Sequence, residues 1–84
     1  MIEEIKNKVR KFIQEHAFGD KQKIKDDTLL FREGFFDSMG FIFLITFLEE
    51  EFKVQPNDED LIEKNFESIN AIADYINSQL KPSA

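Results

Sequence analysis

A chain of 84 residues with 42% hydrophobic content and ten phenylalanines is one domain near the lower size limit for an independent core. It contains no cysteine, which excludes a disulfide framework and any thiolate metal site and fits a cytoplasmic address. The net charge of -6 is uneven: residues 1–32 carry 8 basic and 6 acidic side chains, residues 33–84 carry 3 and 11. A nucleic-acid ligand needs a basic face, so the partner expected for the acidic part is a basic protein surface.

The opening MIEEIKNKVRKF is charged throughout and has no apolar h-region, so no signal peptide is expected. Ile2, Ile5, Val9, Phe12 and Ile13 recur at helical spacing and predict a first helix over residues 2–18. Gly19 stands where a left-handed cap would end it. His16, the single histidine, falls on this charged helix with no cysteine to activate and reads as a solvated surface residue.

A long connection follows over residues 20–37. Its lysines Lys21, Lys23 and Lys25 keep the first part solvated, whereas Leu29, Leu30, Phe31, Phe35 and Phe36 are apolar enough to fold back over the helices. Gly34 is the expected sharp turn.

Asp37 or Ser38 can cap a second helix that runs to about Phe52. At about 100° per residue, Phe41, Leu44, Ile45, Leu48 and Phe52 share the core face. Met39, Phe43, Thr46 and Glu50 lie opposite, with Ile42 and Phe47 at the flanks. Two large apolar residues pointing outward need a cause: a docking spot rimmed by Glu49 and Glu50, or cover from the long loop. The apolar stretch 41–48 is far shorter than a membrane span.

Pro56 and Asn57 break the chain. A short third helix is predicted over residues 58–64. Asp58, Glu59, Asp60 and Glu63 gather there, but without the glycine and closing glutamate spacing of a calcium loop, so no dedicated metal site is expected. A last helix starts at Ser68 as N-cap and buries Ile69, Ile72, Ala73, Ile76 and Leu80. No segment alternates with period two. The predicted fold is an all-α, small four-helix bundle of three longer helices and one short one, with a long loop between the first two helices.

The stretch Gly34-Phe35-Phe36-Asp37-Ser38-Met39-Gly40, with a helix ending Leu48-Glu49-Glu50-Glu51-Phe52, resembles the phosphopantetheine attachment region of acyl and peptidyl carrier proteins. The resemblance extends to Asn65-Phe66-Glu67-Ser68-Ile69 and Ala73-Asp74-Tyr75-Ile76. It implies that Ser38 receives 4'-phosphopantetheine from coenzyme A, with Asp37 and Met39 beside the cofactor. It also implies a monomeric, non-catalytic carrier of thioester cargo in lipid or fatty-acid biosynthesis. Its partners would be a phosphopantetheinyl transferase and loading and transferring enzymes with basic docking surfaces. A phosphodiester on Ser38 would sit at a helix start, where free N–H groups and the dipole favour anions.

Fatty-acid carriers usually have acidic residues where this chain has Gly40 and Phe43. Leu30-Phe31-Arg32-Glu33-Gly34 before Asp-Ser-Met-Gly looks more like D-alanyl and other stand-alone specialised carriers, so an aminoacyl cargo is the alternative within the family. Gly40 would then be small to let the arm or a partner approach. Phe41, Phe47, Phe52 and Phe66 either fill the space between helices, favouring short cargo, or line a deeper pocket. Outside the family, the alternative is an unmodified helical interaction domain using the outer face of the second helix.

Overall fold

The computed structural model describes residues 2–80 and contains four α-helices, with no strand among the described residues. They are α1 (Ile2–His16), α2 (Ser38–Phe52), α3 (Glu63–Phe66) and α4 (Ile69–Leu80). Helix α1 buries Ile5, Val9, Phe12 and Ile13 chiefly against α4, and Glu3 and Glu4 complement the positive end of its dipole. It ends two residues earlier than its periodicity predicts. The Ala17 N–H still bonds Ile13, but the Phe18 N–H turns away to the Phe35 carbonyl at 2.9 Å, and Gly19 follows at φ 74°. A long-range partner thus captures the donor that would have extended the helix.

The loop between α1 and α2 is tied to α1 and to the start of α4. Asp20 caps a short 3-10 turn, Lys21–Lys23. Arg10 donates to both carboxylate oxygens of Asp26, at 2.8 and 2.6 Å, while the Asp26 carbonyl accepts from the Asn70 N–H. The Leu30 N–H bonds the Glu67 carbonyl at 2.8 Å, and the Leu30 carbonyl accepts from both Phe35 and Phe36. Gly34 makes the return at φ 83°. Leu30 and Phe36 are buried, as expected of an apolar loop that closes over a bundle.

The Arg10 guanidinium, through its hydrogen bonds, holds the Asp26 carboxyl below its ordinary value of 3.8. A depressed folded-state value means that this stabilisation is complete above 3.8 and is lost as pH falls below it. The urea midpoint of the wild type is therefore expected to drop more steeply below pH 3.8 than that of Asp26→Asn. Parallel pH profiles would remove Asp26 from the acid response.

Asp37 caps α2 by accepting the Gly40 N–H at 3.1 Å. Leu44 and Leu48 are fully buried, and Phe41, Ile45 and Phe52 are half-buried on the same face. Gly40 is small for a reason different from access by an arm or partner. It is buried, and a Cβ there would lie 2.5 Å from Cδ2 of Phe36, which is itself buried and packed against Phe12 and Phe31. Overpacking of this kind costs about 1–3 kcal/mol and outweighs the propensity gain of alanine, at most about 1 kcal/mol. Gly40→Ala is expected to lower unfolding free energy by about 1–2 kcal/mol in a urea titration.

Helix α2 stops before Pro56, at Lys53 in the left-handed conformation, and the following Val54 is buried. The predicted helix over residues 58–64 is two pieces: a 3-10 turn, Asp58–Asp60, and α3, displaced toward the C-terminus. Asp60 divides them. Its carbonyl accepts from the Ile62 N–H and the Asn65 side chain, both at 2.8 Å, and its carboxylate accepts the Tyr75 hydroxyl at 2.8 Å. Burial first, and then this bond, push the Tyr75 phenol up to about 12. In α4, the Ser68 hydroxyl accepts the Ala71 N–H, and Ile69, Ile72, Ala73, Tyr75 and Ile76 are buried. Leu80, one turn past Ile76, is exposed, not part of the core stripe.

Candidate functional site

Ser38 is the first residue of α2, and its side chain is exposed. Because Asp37 provides the cap, the Ser38 hydroxyl has no structural duty. It makes no hydrogen bond to another described residue. One oxygen of Asp37 takes the Gly40 N–H, which fixes the carboxylate beside Ser38 at the helix start. The first N–H groups of α2 lie at this end, giving it a positive potential.

Ser38 and Asp37 stand at the mouth of an open cleft of about 680 Å³. Its floor is aromatic. Phe41 meets Phe31 and Phe66 edge to face, with centroids 6.0 and 5.6 Å apart, and Phe66 continues to Tyr75 at 5.3 Å. Ile42 forms one wall, and Leu61, Ile62 and Glu63 form the other. Of the four phenylalanines considered for the interhelical space, Phe41 and Phe66 line this cleft. Phe47 and Phe52 lie elsewhere, in contact with each other, and Phe47 stacks on Phe12 at 4.4 Å.

Met39 and Phe43 are 54% and 48% exposed, so the long loop does not cover them. Glu49 and Glu50 are exposed further along α2; Glu50 lines a groove with Phe43, and Glu49 accepts the Gln55 side chain at 3.0 Å. Sequence reasoning placed Ile42 on a flank but missed Leu61 and Ile62 as exposed apolar residues at the cleft. Two adjacent aliphatic residues after the acidic run were the available signal. A regular helix there would point at most one of them inward, whereas extended backbone at Ile62 leaves both exposed. Asp58, Glu59, Asp60 and Glu63 form no metal-competent group among the described residues. His16 is exposed, as expected, but its ring lies tilted against Phe12, with centroids 4.4 Å apart.

A family model described as a phosphopantetheine attachment site matches residues 3–76. An acyl carrier protein of Buchnera aphidicola subsp. Baizongia pistaciae (strain Bp) is 32% identical over 75 residues, which covers 89% of this chain and 94% of that protein. No helix among the described residues is long and apolar enough to cross a membrane. An uncommitted serine at a capped helix start, within a match that spans most of both chains, places this protein in the acyl carrier protein family, whose attachment domains carry covalently bound 4'-phosphopantetheine.

Proposed function

We propose that Ser38 is the attachment residue and that the protein carries acyl cargo as a thioester between biosynthetic enzymes, with no catalysis of its own. One observation carries this reading: an exposed serine hydroxyl, relieved of capping by Asp37, opens α2 beside an aromatic-floored cleft. When attached, the prosthetic group supplies the thiol that a chain without cysteine lacks. Ser38 holds the phosphodiester where free N–H groups favour negative charge. Asp37 keeps the helix start in register and presents a carboxylate to the modifying enzyme. The cleft offers apolar shelter to cargo returning toward the domain.

Intact mass measurement after incubation with coenzyme A and a phosphopantetheinyl transferase tests the proposal. A gain of one phosphopantetheine is expected. An unchanged mass, beside a control carrier that loads, would reject the carrier role in favour of an unmodified interaction domain.

Met39, Phe43, Glu49 and Glu50 form the proposed docking face for enzymes with basic surfaces. Both apolar side chains are about half exposed beside the attachment residue, where a carrier must be grasped. Burying an aromatic side chain against a partner is worth about 1.5–3 kcal/mol, roughly 10- to 100-fold in affinity. Phe43→Glu is therefore expected to lower kcat/KM for phosphopantetheine transfer at least about tenfold, with an unchanged melting temperature. Unaltered kinetics would remove Phe43 from the docking face.

A further inference from the structure

The seam between α1 and α2 runs antiparallel, with Lys8 beside Glu51, Phe12 on Phe47 and His16 near Phe43. At one end of the seam, the chain fills a cation site by itself. The Lys8 ammonium lies 3.1 Å from the Glu51 carboxylate and 5.7 Å from the centroid of the Phe52 ring. A carboxylate and a ring face together hold the positive charge.

Two turns further along α1, the same ingredients recur without a lysine or arginine of this chain lining the site. Phe12 stacks on Phe47 and has the His16 ring tilted against it, both at 4.4 Å, and Phe43 approaches His16 at 6.2 Å. A groove of about 440 Å³ runs over these rings, with Glu15 on its α1 side and Glu50 and Glu51 on its α2 side. Lys8 engages Glu51. Glu15 and Glu50 are exposed and have no ion-pair partner among the described residues. The groove also opens at the C-terminal end of α1, whose dipole adds negative potential.

Such a groove does not suit a purely apolar occupant, which would desolvate Glu15 and Glu50 without replacing their water. It suits a side chain with a flat cationic head that stacks on aromatic faces and bonds carboxylates. Guanidinium does both, and its aliphatic stem can lie along the rings.

We propose that a partner protein inserts an arginine side chain into the groove between α1 and α2, stacked on the Phe43–Phe47 side and paired with Glu15 and Glu50. The inference rests on the docking face proposed above and extends it across the seam to α1. Lys8 shows the same recognition at intramolecular scale.

The test is a titration of the 15N-labelled protein with N-acetyl-arginine amide, with N-acetyl-citrulline amide as the uncharged counterpart of nearly the same shape. Arginine is expected to produce saturable amide shifts at Glu15, His16, Phe43, Thr46 and Phe47, at least about fivefold larger than those from citrulline. In the Glu15→Gln/Glu50→Gln double variant, the arginine response is expected to fall to the citrulline level. Both positions are exposed, and the unperturbed spectrum of the variant reports its fold.

Equal responses to the two amides, shifts elsewhere or none, or a response that survives in the double variant would overturn the proposal. Shifts at the same amides on concentrating the protein alone would assign the groove to a second copy of the chain and also overturn it. The underlying docking face is judged separately, by transfer kinetics of Phe43→Glu. Slowed kinetics together with an unresponsive groove would leave docking on α2 and remove α1 from it.

Discussion

Ser38→Ala is expected to abolish phosphopantetheine loading completely while leaving stability within about 0.5 kcal/mol of wild type. The two halves of this outcome have separate causes. On the proposed assignment, loading requires the Ser38 hydroxyl, and no other side chain replaces it at the helix start. Stability does not require it, because the capping bond runs from Asp37 to the Gly40 N–H. Loss of a cap costs about 0.5–2 kcal/mol, but here that cost belongs to Asp37 and not to Ser38. Alanine is also the better helix former at an exposed first position. Intact mass and a thermal melt on one preparation measure both halves. Residual loading of Ser38→Ala would move the attachment residue elsewhere, and a lowered melting temperature would mean that the serine has a structural role.

The second large effect concerns Phe66. It is fully buried in α3, a helix of only four residues, and touches Phe41 from one side and Tyr75 from the other. Its ring joins the cleft floor to α4. Phe66→Ala removes that burial and leaves a cavity that the short helix cannot close alone, at a cost of about 3–5 kcal/mol. Total stability for a domain of this size is only about 4–12 kcal/mol. The melting temperature is expected to fall by about 15 °C or more, with Phe66→Leu intermediate. A loss below about 1.5 kcal/mol in urea titration would mean that α3 detaches without disturbing the core.

What could be read from the chain follows the range of the forces involved. The starts of α2 and α4 and their buried faces are local matters, set by Asp37, Ser68 and the spacing of apolar residues, and they match expectation except at Leu80, which is exposed. So does the folding back of the loop through Leu30 and Phe36. The proposal of Ser38 as attachment residue rests on equally local signals, since a short motif and a helix cap both lie within a few residues of it.

Features decided by distant partners were not legible. The end of α1 depends on the Phe35 carbonyl, 17 residues beyond Phe18. The break between residues 58 and 66 depends on the Tyr75 hydroxyl reaching Asp60, 15 residues away. Gly40 read as a gap for an arm or partner because the Phe36 ring that fills it belongs to the loop, whose path periodicity does not describe. The cleft escaped for the same reason. Phe31, Phe41 and Phe66 come from three segments, and only the fold brings them to one floor.

Asp60 also sets how the cleft deforms. The wall at Leu61 and Ile62 is non-helical, exposed, and fastened at one end by hydrogen bonds to Asp60 and at the other by the buried Phe66. Leu61 and Ile62 are already 39% and 50% exposed, so moving this wall outward uncovers less hydrocarbon than displacing a fully buried side chain such as Leu44 or Leu48. The domain thus combines three longer helices, α1, α2 and α4, with one short non-helical panel that holds fewer buried side chains. If the proposed cargo enters this cleft, the panel is where the walls yield at least cost, since hydrogen bonds to Asp60 can be exchanged for water.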